Sequence, residues 1–224
     1  MKRFVIAIIP IVALALGAAA PERNPPLQDT LDQSDDYTQR NVSTPEARQA
    51  IESYGQCVAR REPGEAHRLL TMDFKNSRYR TGLRMLADEA KRACAYGSFG
   101  RGVMRSAGLL FSGAMAEALL ETRPEPLNVR LVRSANAKAK SYSPTDAVAL
   151  CVARSMPDQV GALFATKPGS EAEALATAAL NPAIAPCARA VGIAAKLELS
   201  VPALRAMVAT ASYRLLASSE DGDA

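Results

Sequence analysis

Few side chains in this chain could do chemistry, and the four cysteines come first. Cys57, Cys94, Cys151 and Cys187 contain no Cys-x-x-Cys pair, so a thioredoxin-type redox motif is absent. Structural zinc calls for cysteines or histidines in close pairs, whereas these stand far apart. With His67 as the only histidine, a multi-histidine metal site is excluded as well. The spacing instead suits covalent pairing. Cys57-Val58-Ala59-Arg60 returns unaltered as Cys151-Val152-Ala153-Arg154, 94 positions later, and Pro63 and Pro157 follow in phase. From first to second cysteine, 36 residues intervene in one copy and 35 in the other.

Four cysteines allow three pairings. If one ancestral unit folded before it was doubled, its bridge lies inside it, which selects Cys57–Cys94 and Cys151–Cys187. Closing such a loop stabilises a unit by about 3.8 kcal/mol in the chain-entropy account. The repeated arginines, Arg60 and Arg154, are the candidate anion contacts. Their ordinary role is structural, with the stem lying along its helix and the head reaching a carboxylate or a helix end. His67, beside Leu69 and Leu70 on a short helix, has no nucleophile or orienting carboxylate near it in sequence and reads as solvent-facing. The glycine-rich run Tyr96–Gly102 lacks the Gly-Lys-Ser/Thr ending of a phosphate loop and reads as a turn. The basic residues Lys75, Arg78, Arg80, Arg84, Lys91 and Arg92 read as a solvated helix face. No catalytic residue, cofactor site or metal site is assigned.

The elements that must position these residues are helical. Hydrophobic residues make up 48% of the chain, aromatic residues 5%, and tryptophan is absent. A core rich in alanine and leucine favours closely packed helices over strands. Residues 1–20 form a secretory signal peptide: Lys2 and Arg3, an apolar run from Phe4, then Gly17-Ala18-Ala19-Ala20. Pro10 interrupts that run, which is at the lower limit for spanning a bilayer. The segment leaves no stable span once cleaved. Without Lys2 and Arg3 the chain carries 25 basic and 23 acidic residues, a net charge of +2, too little to suggest nucleic acid binding.

Residues 21–43 are polar and proline-rich and read as a disordered tether. Helical unit 1 spans 44–121, opened by the cap Thr44-Pro45-Glu46, and helical unit 2 spans 143–217, opened by Ser143-Pro144. Between them a basic linker, 122–142, carries Arg130, Arg133, Lys138 and Lys140. Ser170 with Glu173 reads as a capping box, and Asn181-Pro182 as a turn. Alternation at Leu127, Val129 and Leu131 predicts a strand in the linker, and Ile193–Leu199 predicts a second; Gly100–Arg105 is a weaker match. A last apolar helix is expected at Ala107–Leu120 in one unit and Pro202–Leu216 in the other, with residues 218–224 frayed.

The signal segment, polar tether and Cys-Val-Ala-Arg units ending in an apolar helix resemble those of exported Gram-negative bacterial proteins built from tandem cysteine-paired helical units. No activity is assigned to that group, so the resemblance implies no catalytic residues. The expectation is a mainly α protein of two tandem homologous units, each with one internal disulfide and room for one short strand, in the periplasm or secreted. Its expected role is that of a non-enzymatic scaffold or protein-binding module whose partner is a protein or an envelope component. A binder of an anionic ligand or envelope polymer is the first alternative, and an enzyme the second.

Overall fold

The computed structural model describes residues 44–94, 108–194 and 197–220, which lie within one compact body spanning residues 40–224. The signal segment, the tether and the Tyr96–Gly102 run fall outside the described residues, as does the strand match at Gly100–Arg105. Ten helices appear among the described residues and no strand. In the first half these are α1 (Pro45–Arg61), α2 (Pro63–Thr71), α3 (Ser77–Cys94) and α4 (Leu109–Leu120). Next comes α5 (Leu127–Arg133), in the linker. The second half holds α6 (Pro144–Ser155), α7 (Pro157–Phe164), α8 (Glu171–Ala178), α9 (Asn181–Ala190) and α10 (Val201–Glu220).

Each half begins with the cap read from sequence. Thr44 Oγ1 accepts from the Ala47 amide at 3.2 Å, and Ser143 Oγ accepts from the Asp146 amide at 3.1 Å, with proline at the first helical position in both. Pro63 and Pro157 then start α2 and α7, fixing φ where no amide donor is needed. The disulfides pair as expected, Cys57–Cys94 tying α1 to α3 and Cys151–Cys187 tying α6 to α9, each with Cα atoms 5.7 Å apart. Two intrachain disulfides are bonds of an oxidising compartment.

The centre is built by α4 and α10, which are apolar and buried nearly all round. α1 packs on α4, α6 packs on α10, and the two central helices pack on each other. Small residues make the approach close. A Cβ on Gly113 would lie 2.6 Å from Ala206 Cβ and 2.7 Å from its Cα, and one on Gly55 would lie 2.5 Å from Ala114 Cβ. One apolar cluster fills each half, around Phe111, Leu69 and Leu83 in the first and Leu131, Leu150 and Leu215 in the second. The clusters trade residues at the centre: Leu120 of α4 packs in the second, Ala209 of α10 in the first.

Both expected strands are corrected. Leu127, Val129 and Leu131 alternate in sequence, yet Leu127 and Leu131 are also four apart, which is the same face of a helix. α5 forms, burying Leu131 and leaving Val129 and Val132 exposed. After α9 the chain leaves through a Schellman turn. Gly192 takes φ +82° and its amide donates to Arg189 O at 3.0 Å, while the Ile193 amide donates to Ala188 O at 2.9 Å. The described residues of 193–199 then run as irregular chain with Leu197 and Leu199 against the core, and among the described residues no strand edge offers a ladder. A strand without a partner has no hydrogen bonds to form. The last helix also runs past Leu216 to Glu220.

Candidate functional site

The residues that concentrate charge inside the protein come from helices of both halves. α1 supplies Arg48 and Glu52, α4 supplies Glu117, α8 supplies Glu173 and α10 supplies Arg205. Arg205 Nε and one terminal nitrogen donate to the two Glu117 oxygens at 2.8 and 2.6 Å, a bidentate pair. The other terminal nitrogen donates to Thr166 O and Oγ1 at 3.1 Å, and to Leu163 O at 3.3 Å. It is also 3.5 Å from Glu173. Glu173, fully buried, takes both oxygens of its carboxylate to 2.5 Å from one Arg48 nitrogen. The Gly169 amide donates to the same carboxylate at 2.8 Å. Only one half of the capping box read from sequence forms: Ser170 Oγ accepts from the Glu173 amide at 3.2 Å, while the Ser170 amide donates to Lys167 O and the Glu173 carboxylate instead anchors the first half.

Burial dominates the acidity of Glu117 and Glu52. It pushes Glu117 up to about 8 against the pull of Arg205, and it raises Glu52 as well, with Arg205 and a Gln56 hydrogen bond acting the other way. Two carboxyls of raised pKa at one cleft are the raw material of general acid–base chemistry. The geometry argues otherwise. Both Glu117 oxygens are held by Arg205, and the cleft over Gly113 and Ala206 has a cavity volume of ≈ 30 Å³. That holds a water molecule or two rather than an organic substrate. The arrangement can hold two halves together; it is not shaped to take a reactant.

A second cluster does the same on another side. Asp146 of α6 pairs with Arg214 of α10, both buried, and accepts from the Tyr142 amide at 2.9 Å. The Arg214 guanidinium lies 5.4 Å from the Tyr142 ring centroid, and Tyr142 Oη donates to Thr71 O at 2.9 Å, reaching the end of α2. Phe74 meets the same ring edge-on at 5.6 Å.

The candidate anion contacts are not brought together. Arg60 is exposed, 3.4 Å from Gln56 Oε1 and 3.8 Å from Glu121. Arg154 is half-buried and donates to Ala137 O at 2.8 Å, fastening the linker to α6. His67 is exposed, its Nδ1 2.7 Å from Tyr213 Oη, and burial pushes that phenol up to about 12. Among the described residues no group of three or more histidines, cysteines, aspartates or glutamates is placed to hold a metal ion.

Reading the sequence for reactive motifs missed Glu117, Arg205 and Arg214, because none belongs to one. The available signal was a lone charge in an apolar helix. Glu117 is the one charged residue of Leu109–Leu120, and such a residue is buried only if it is paired. Comparison with family profiles, curated proteins and solved structures finds no match to this chain.

Proposed function

We propose that the chain is an exported protein, delivered by residues 1–20 to the periplasm or beyond, where it works as a rigid helical scaffold that binds a protein partner. The observation that carries this reading is how its charges are used. The charged groups gathered at the centre, Arg48, Glu117, Glu173 and Arg205, are engaged with one another, so they serve rigidity. Two disulfides add to it by pinning α3 and α9 to the helices beneath. What remains to meet a partner is the outer layer, where Met85 of α3, Val132 of α5 and Leu175 of α8 are each more than half exposed. No described helix is long and apolar enough to cross a membrane.

The two halves are read as a duplicated unit. Gly113 and Ala206, in contact at the crossing of α4 and α10, each stand nineteen positions after the second cysteine of their half. A residue that touches its own counterpart is the mark of a twofold relation between like units. This supports an origin in which two copies of one helical unit first met through that helix.

A photo-crosslinking residue placed at Met85, Val132 or Leu175, in cells that make the protein, tests the scaffold reading. A discrete adduct with a second envelope protein from at least one position is the expected result. Absence of an adduct from all three contradicts it.

A further inference from the structure

A second cavity, of ≈ 370 Å³, opens between the linker and the end of α10. Its size falls in the range of small-ligand sites, about 300–1,000 Å³. Three guanidiniums line it, Arg123, Arg130 and Arg133, against two carboxylates, Glu125 and Glu220, so one positive charge is in excess. At its wall the hydroxyls of Ser134 and Ser219 lie 2.9 Å apart.

The arginines differ in how they are held. Arg130 is half-buried and one of its terminal nitrogens donates at 2.7 Å to Leu120 O, at the end of α4. That bond fixes the fork and neutralises the carbonyl end of the helix. Arg123 and Arg133 stand at the rim, 58% and 66% exposed, paired with Glu220 and Glu125. Exposed pairs of this kind contribute little and exchange readily with solvent. An oxyanion can meet several guanidiniums at once, whereas each glutamate here meets one.

We propose that this pocket binds a small organic molecule carrying a carboxylate or phosphate group, held by Arg130 within and by Arg123 and Arg133 at the rim. The site goes beyond the scaffold reading and does not depend on it. It also moves the anion contact away from Arg60 and Arg154, onto the basic linker.

The test is calorimetric titration of the disulfide-intact protein with citrate and with inorganic phosphate, at ionic strength matched by sodium chloride. Saturable binding of at least one probe is expected, weakened tenfold or more in Arg130→Gln and Arg133→Gln. Arg60→Gln, which does not line the cavity, should leave it unchanged. Glu220→Gln removes a competing carboxylate and should tighten binding several-fold, a gain that misfolding cannot imitate. Binding of citrate alone assigns a carboxylate ligand, and of phosphate alone a phosphate ester. No binding of either probe overturns the site, and so does an equal loss in Arg60→Gln or no response to Glu220→Gln.

Discussion

Glu117 and Arg205 show most plainly how single residues decide this structure. Each is nearly devoid of solvent contact, and removing either leaves the other buried without its main partner. Breaking such a pair from one side costs about 3–5 kcal/mol. Arg205→Met is therefore expected to lower the free energy of unfolding in urea by that order, and Arg205→Met with Glu117→Leu to recover part of the loss, as a double-mutant cycle would measure. The acidity of Glu117 adds a dependence on pH. Its folded pKa, about 8, lies above the ordinary carboxylate value of 4.5, so between the two the folded state holds a proton that the unfolded state has released. Stability from this group is present in acid and declines as pH rises from about 4.5 to about 8. The slope for one group cannot exceed about 1.4 kcal/mol per pH unit. Arg205, Glu52 and Glu121 face Glu117, and Glu52 shifts in the same direction. Glu117→Gln should thus flatten the decline without abolishing it. An unchanged slope between pH 5 and pH 8 would contradict the assignment.

At the scale of elements, much was legible in the sequence because local chemistry sets it. Thr44, Ser143 and Ser170 announce helix starts through their own hydroxyls, and Pro63 and Pro157 through a fixed φ. The cysteine pairing was legible because the spacing repeats. The strand reading at Leu127–Leu131 failed for a physical reason: over so short a span, apolar residues two apart fit either a strand face or, at every second one, a helix face. Tertiary packing of Leu131 decided it. The candidate site was legible only in part: Glu173 stood out as a cap and Glu117 as a lone charge in an apolar helix, but its residues are spread over four helices and meet only in the fold. Helix contact supplies the sharpest test here. Gly113→Ala places a methyl against the Ala206 backbone and side chain, so α4 and α10 must separate. A loss of about 1–3 kcal/mol is expected from such overpacking, read as a fall in thermal midpoint. Gly64→Ala, whose added carbon meets nothing within 4 Å, is the control and should leave the midpoint unchanged or raise it.

For the whole molecule, the shared clusters around α4 and α10 make the described residues one cooperative body. Urea unfolding of the oxidised protein should follow a single transition by tyrosine fluorescence and by far-ultraviolet dichroism. Removing one bridge, as in Cys57→Ser with Cys94→Ser, should lower stability by about 3.8 kcal/mol and unfold both halves together. Two separated transitions would mean that the halves do not depend on each other. An exported chain forms its bridges in an oxidising compartment. The direct measurement is peptide mapping of the protein taken from its own cells, alkylated at lysis and never reduced. The account predicts recovery from the envelope or medium, no alkylated cysteine, linked peptides joining Cys57 to Cys94 and Cys151 to Cys187, and an N-terminus near residue 20. A soluble cytoplasmic protein that begins at Met1 and carries alkylated cysteines would contradict it.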